Sequence, residues 1–280
     1  YFRTGLYPAP STPFTPGLEA AGEVLEVGAD VTDLAVGDRI AYAAPPIGAY
    51  AEERLMPADR IVKVPDGVSD DQAAAMMLKG MTAQYLLRST YRVKSGDTIL
   101  FHAAAGGVGL IACQWAKALG ATVIGTVGSE AKAALAKAHG ADYTILYSSE
   151  NVAERVRELT DGEGVPVVYD SVGKDTFESS IDCLAPLGTM VSFGNASGPP
   201  PDVSPGLLSQ KGSLFFTRPT LMTYTAKRAD LVTCAAELFE VVGSGAVKIE
   251  VNQRFDLADV GDAHRALEGR QTTGSTLLIP

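Results

Sequence analysis

The sequence predicts an α/β fold, a doubly wound parallel sheet joined to a smaller β-rich domain. Three observations carry this. Thr98-Ile99-Leu100-Phe101 is a β-prone apolar run that enters a glycine turn, and the turn opens directly into an amphipathic helix. Helix and strand patterns then alternate as far as Thr217, the rhythm of parallel strands joined by crossover helices. Before this stretch, residues 17–65 hold short β-prone pieces broken by Gly and Pro.

In chain order, Gly22–Gly28 and Gly37–Tyr42 read as strands of the small barrel-like domain. After the strand at 98–101, Val108, Ile111, Ala112, Trp115, Ala116 and Leu119 recur at the spacing of one buried helix face, and Gly120 stops the helix. Ala121–Val127 is the next strand and closes a βαβ unit of roughly 30 residues. Helices follow at 131–139, 152–159 and 177–184, and strands at 143–146, 165–170, 189–193 and 214–217, the last after a Pro/Gly-rich connection at 198–206. Ala229–Val242 reads as a helix and Ser275–Ile279 as a strand that returns to the first domain. Hinges are expected near Gly80 and near residue 220, giving a domain of 1–80 plus 221–280 and a domain of 81–220.

The glycine turn points to a dinucleotide. Ala104-x-Gly106-x-x-Gly109 follows a strand and opens a helix: Gly106 lets backbone approach the pyrophosphate, Gly109 lets helix pack closely on strand, and the helix N-terminus supplies free N–H groups. A β-branched side chain at Gly106 is expected both to fill the phosphate's space and to resist the turn's backbone angles. Cofactor choice is read at the end of the next strand, where NAD enzymes place an acid on the ribose. Here Gly128 and Ser129 follow the strand and Glu130 lies past the turn, while Ser129 and Lys132 offer a hydroxyl and an ammonium for a 2′-phosphate, so NADPH is expected. Ligands of such sheets lie beyond the carboxyl ends of the strands, which here are small and polar: Ser171, Val172 and Gly173; Phe193, Gly194, Asn195 and Ser197; Thr217 and Arg218. Asp170, ending an apolar strand, is read as bonding nearby backbone, and His102 as a hydrogen-bonded turn residue.

Composition narrows the classes. A net charge of −10 with no basic run argues against a broad nucleic-acid surface. Cys113, Cys183 and Cys234 are widely spaced, which suits a reducing compartment and fits neither a disulfide framework nor a Cys-x-x-Cys knuckle. No apolar run reaches the ~18 residues of a spanning helix and no leader pattern is present, so a cytoplasmic protein is expected. The first residue, Tyr1, is not Met, and a preceding segment is expected.

Motifs spread along the whole chain carry a family resemblance: Gly-Leu-Glu-Ala-Ala-Gly (17–22), Gly-Asp-Arg (37–39), Gly-Ala-Tyr (48–50), Leu-Lys-Gly-Met-Thr-Ala (78–83), His-Ala-Ala-Ala-Gly-Gly-Val-Gly (102–109), Tyr-Asp-Ser-Val-Gly (169–173), Ser-Phe-Gly-Asn (192–195) and the terminal Leu-Leu-Ile-Pro. The chain resembles the zinc-independent, zeta-crystallin-like quinone oxidoreductases of the medium-chain dehydrogenase/reductase superfamily. The resemblance implies a GroES-like catalytic domain, a Rossmann NADPH-binding domain and a homodimer, with about 45 residues of the family pattern preceding Tyr1. It implies that Thr82 and the turn residues Ala105, Gly106, Gly107 and Val108 bind the cofactor's phosphates. Gly128, Ser129, Lys132 and Tyr147 would hold the 2′-phosphate end, and Ser171, Val172, Phe193, Gly194 and Asn195 the nicotinamide end. Leu146 departs from the Asn of the bacterial relative. Tyr1 and Tyr7 match active-site tyrosines that can guide the substrate ring or relay a proton, and Tyr42 matches a tyrosine near the cleft.

Zinc-bearing relatives have Gly-His-Glu where this chain has Gly17-Leu18-Glu19, and leucine cannot ligate a metal. No metal site is therefore expected, and the chemistry must suit an activated acceptor that needs no Lewis acid. The expected activity is NADPH-dependent reduction of quinones; the alternatives are reduction of conjugated enals and enones, and a non-catalytic crystallin-like nucleotide- or RNA-binding role, the last disfavoured for RNA by the acidic charge.

Overall fold

A computed structural model describes every residue except Tyr1, Thr4, Leu6, Ala9, Pro10 and Arg270. The chain divides into two compact units: Tyr1–Met81 with Thr225–Gly243 and Ile249–Pro280, and Thr82–Tyr224 with Ser244–Lys248.

In the first unit, strands β1 (Glu19–Glu23), β2 (Arg39–Ala43) and β3 (Val62–Lys63) form an antiparallel sheet in that order. Ile40 and Tyr42 point from it into a core with Val24, Leu34 and Ile61. The expectation of a strand over 22–28 is corrected, because only Gly22 and Glu23 of that piece lie in β1. Its alternating pattern puts Leu25 and Val27 in solvent, 56% and 41% exposed, so no apolar face holds it in a ladder. Helix α1 (Asp70–Tyr85) opens on a reciprocal cap: Ser69 Oγ accepts from Gln72 N at 3.2 Å while Ser69 N donates to Gln72 Oε1 at 2.9 Å.

The second unit is a six-stranded parallel sheet with helices between its strands. The run is β4 (Thr98–Phe101), α2 (Gly107–Ala118), β5 (Thr122–Val127), α3 (Glu130–Ala138), β6 (Tyr143–Leu146) and α4 (Val152–Leu159). It continues through β7 (Val165–Asp170), α5 (Phe177–Cys183), β8 (Leu184–Ser192), α6 (Pro205–Gln210), β9 (Phe215–Thr217) and α7 (Leu221–Tyr224). The spatial order β6-β5-β4-β7-β8-β9 is that of a Rossmann sheet, so the direction of winding reverses between β4 and β7. Leu100, Ile124, Ile145 and Val168, one from each of four neighbouring strands, belong to one fully buried cluster with Val156 and Ile181 of the covering helices. Burial on both faces explains why these strands read as near-continuous apolar runs.

The first unit is completed by α8 (Arg228–Gly243), β10 (Val251–Asp256), α9 (Val260–Glu268) and β11 (Ser275–Ile279), with β10 and β11 paired in parallel. A side chain at Gly80 of α1 would strike Leu238 of α8 at 2.5 Å, so glycine is what allows this helix contact.

Candidate nucleotide site and family membership

The winding reversal places the ends of β4 and β7 side by side, where such sheets bind ligands. After Phe101, His102 N donates to Tyr169 O at 2.9 Å and Ala104 N to Thr126 O at 3.1 Å, which ties the turn to both flanking strands. Ala103 takes a positive φ of 54°, and Gly106 N closes the turn onto Ala103 O at 2.8 Å. Gly106 is the N-cap of α2 and has no side chain to satisfy the amides of Gly107, Val108 and Gly109. Those donors, at the positive end of a twelve-residue helix, suit an anion.

Two glycine expectations are refined. Gly106 has φ −80° and ψ 171°, angles that any residue adopts, so backbone strain does not require glycine at this position. A Cβ there would meet only Ala103, at 3.1 Å from its oxygen, and otherwise open space. At Gly109 a Cβ would lie 2.5 Å from Ala103 O and 2.6 Å from Ala104 O. The group spared by Gly109 is therefore the turn's own backbone.

At the end of β5, Ser129 caps α3, its Oγ accepting from Lys132 N at 3.4 Å, which leaves the hydroxyl proton free to donate outward. Lys132 is half-buried in the first turn of α3. Tyr147 N donates to Val127 O at 3.2 Å, and its ring covers Gly128 so closely that a Cβ there would lie 2.9 Å from Cζ. Gly128, Ser129, Lys132 and Tyr147 thus stand at the ends of β5 and β6. Glu150 Oε2 takes the backbone N–H of Leu146 at 2.6 Å.

The loops after β7 and β8 are joined by backbone. Phe193 N donates to Asp170 O at 2.7 Å, Ala196 N to Ser171 O at 3.1 Å and Ser197 N to Val172 O at 2.8 Å. A Cβ at Gly194 would strike Ser171 O at 2.5 Å. Phe193 is half-buried with its ring 5.7 Å from that of Phe101. Asn195 Oδ1 is buried without a hydrogen-bond partner, as is Ser192 Oγ. A buried amide oxygen without a donor is costly, and a ligand N–H in this loop would satisfy it. With the uncapped α2 and the open face of Gly106, this orphaned acceptor fits a dinucleotide at the site.

Of the remaining expected site residues, Thr82 is half-buried on α1 in the second unit. Tyr7 belongs to the first unit, 41% exposed, with its ring edge-on to Phe2 at 5.8 Å. Tyr1 lies outside the described residues. Tyr42 is buried in the first unit's core, with the Arg54 guanidinium 5.3 Å above its ring.

Asp170 bonds nearby backbone as expected, its Oδ1 accepting from Val172 N at 2.7 Å and Gly173 N at 3.0 Å. Its Oδ2 also accepts from Thr176 Oγ1 at 2.7 Å and Ser180 Oγ at 2.8 Å. His102 is a turn residue within a buried network, its Nε2 2.9 Å from Ser180 Oγ and its Nδ1 2.9 Å from Thr126 Oγ1. Burial pushes the imidazole pKa down, and the Asp170 charge opposes this. Thr126, Thr176 and Ser180 were not read from sequence; the available signal was a pair of hydroxyl residues four apart on one helix face.

Comparison with known proteins agrees with this geometry. A family model described as "Zinc-binding dehydrogenase" matches residues 107–240, and one described as "Alcohol dehydrogenase GroES-like domain" matches residues 1–66. A quinone oxidoreductase of Pseudomonas aeruginosa is 60% identical over all of this chain and 86% of its own. The chain belongs to the quinone oxidoreductase family of the medium-chain dehydrogenases/reductases. The crystal structure of Escherichia coli quinone oxidoreductase complexed with NADPH superposes with a TM-score of 0.97 at 52% identity, covering 100% of this chain and 86% of that one. A 2-haloacrylate reductase of a Burkholderia species is 47% identical over all of this chain and 86% of its own.

Within this family member, the donors that a zinc-binding dehydrogenase would need are dispersed. Among the described residues, no three His, Cys, Asp or Glu side chains converge. Cys113, Cys183 and Cys234 are buried, and burial pushes each thiol up to about 12. Glu19, next to Leu18, is a buried carboxyl raised by desolvation; Lys79 and the amide of Leu78, 2.7 Å from Oε2, oppose the rise.

Proposed function

We propose that this chain reduces quinones with NADPH, without a metal ion. The carrying observation is the uncapped start of α2 behind the open face of Gly106, a pyrophosphate seat at the sheet's winding reversal. Whole-chain likeness to quinone oxidoreductases supports the substrate class. The amides of Gly107 and Val108, with Ala105, Gly106 and Thr82, would hold the diphosphate. Lys132 and Ser129 would meet the 2′-phosphate by charge and hydrogen bond, with Tyr147 over Gly128 closing that end. Ser171, Val172, Phe193 and Gly194 would line the nicotinamide, and Asn195 Oδ1 would accept an N–H there. When bound, NADPH supplies a hydride at its nicotinamide.

The first unit is proposed as the catalytic domain, with Tyr1 and Tyr7 as the phenols that orient the acceptor or relay its proton. Alignment in a dry slot is the main catalytic task, because a quinone is an activated acceptor. The dispersed donor set and Leu18 support a mechanism that needs no Lewis acid. The buried free thiols suit a cytoplasmic setting. Edge strand β9, carrying Phe215 at 61% exposure, supports a homodimer, which light scattering would test.

Among the described residues no helix is long and apolar enough to cross a membrane, which is compatible with a freely diffusing substrate. The deciding experiment is steady-state NADPH oxidation with a panel of quinones, enals and 2-haloacrylate, with and without excess chelator. Turnover that is fastest with quinones and indifferent to chelation is expected. A clear preference for the conjugated double bonds, as the name of the 47% identical 2-haloacrylate reductase would suggest, overturns the quinone reading.

A further inference from the structure

The buried network between the two central loops has a complete set of proton positions. Ser180 Oγ has one proton and gives it to Asp170 Oδ2 at 2.8 Å, so toward His102 it can only accept. His102 therefore carries its proton on Nε2, 2.9 Å from Ser180 Oγ, and Nδ1 accepts from Thr126 Oγ1 at 2.9 Å. Asp170, fully buried, accepts four donors: Ser180, Thr176 and the amides of Val172 and Gly173. The chain of bonds runs from β5 through the residue that starts the glycine turn, across α5, to the loop that ends β7. It spans the winding reversal.

We propose that Thr126, His102, Ser180 and Asp170 are positioning residues that hold the glycine turn and the Ser171–Gly173 loop in mutual register for the diphosphate and nicotinamide of the cofactor. This rests on the NADPH reading above. The Ser171–Gly173 loop in turn fixes the Phe193–Ser197 loop through its backbone bonds, so one buried network sets both strand-end loops. The 2′-phosphate end, at Ser129, Lys132 and Tyr147, has its own supports in the α3 cap and the Tyr147–Gly128 packing.

The test is equilibrium titration of NADPH and of 2′-AMP, which carries only the 2′-phosphate end, on the intact wild-type chain and on Ser180→Ala. Ser180→Ala is expected to weaken NADPH about tenfold while 2′-AMP changes by less than about twofold. His102→Gln, which keeps an amide donor toward Ser180, is expected to retain more NADPH affinity than His102→Leu. Should Ser180→Ala not fold, Thr126→Val removes one hydroxyl at constant shape and is read by the same pair of ligands. Unchanged NADPH affinity, or a parallel loss of both ligands as from general loosening, overturns the proposal. A wild-type chain that binds 2′-AMP but not NADPH, or neither, removes the cofactor reading itself and this proposal with it.

Discussion

Lys132 is the residue proposed to recognise the 2′-phosphate, because it lies in the first turn of α3, just past the end of β5, half-buried beside the α3 cap. Partial burial limits solvent competition, and a charged hydrogen bond to phosphate is worth about 1–3 kcal/mol. Lys132→Ala is expected to weaken NADPH by roughly tenfold or more and to leave NADH nearly unchanged; equal losses for both, by fluorescence titration, would remove Lys132 from the 2′-phosphate pocket. Gly106 acts differently. Its angles are ordinary, so Gly106→Val should keep the melting temperature close to wild type while abolishing binding of both dinucleotides. A folded Gly106→Val protein with wild-type NADPH affinity would displace the diphosphate from this turn.

At the scale of elements, the junction of β4, the turn and α2 depends on Gly109 more than on Gly106. A single methyl at Gly109 would sit 2.5 and 2.6 Å from two carbonyl oxygens of rigid backbone, so the helix must move away from the turn. Gly109→Ala is therefore expected to lower stability, by about 1–3 kcal/mol in chemical denaturation, as well as NADPH affinity. A variant with normal stability and binding would show that the turn yields easily.

The same scale shows what was legible in the sequence. The strands at 143–146 and 165–170 and the helix at 152–159 were read at the bounds they have, because buried parallel strands are apolar runs separated by glycine and polar turns. β8 was expected at 189–193 and instead runs Leu184–Ser192. Its early part hides behind Pro186-Leu187-Gly188, where Leu187 takes φ 62° and the pairing with β7 shifts register. The glycine turn was legible because its spacing is local. The Thr126–His102–Ser180–Asp170 network was not, since His102 and Ser180 are 78 positions apart and only the winding of the sheet brings them together.

For the molecule as a whole, acid sensitivity follows from two buried groups whose pKa values move in opposite directions. His102 is held neutral by burial, against the attraction of Asp170, so its folded pKa lies below the ordinary 6.5. The unfolded chain then binds a proton that the folded one refuses, and stability falls as pH drops below 6.5, by up to about 1.4 kcal/mol per unit, with no contribution above it. His264, lowered by partial burial and Arg3, acts in the same window but is largely exposed to solvent screening. Glu19 has the reverse sign. Its folded pKa is raised above 4.5 by burial, so its contribution is present below 4.5 and is lost as pH rises through the folded value. Asp38 and Asp59, held low by Lys63 and Arg60, matter only below about pH 4. As pH falls, the two groups therefore act with opposite sign, His102 destabilising the fold below 6.5 and Glu19 stabilising it as its carboxyl takes up a proton above 4.5. Denaturant midpoints measured as pH is lowered from 7 are expected to fall less in His102→Gln than in the wild type and to fall more in Glu19→Gln. A His102→Gln profile parallel to wild type would mean that the imidazole binds its proton equally in the folded and unfolded chain, and the neutral imidazole assigned to the folded network below pH 6.5 would then be wrong.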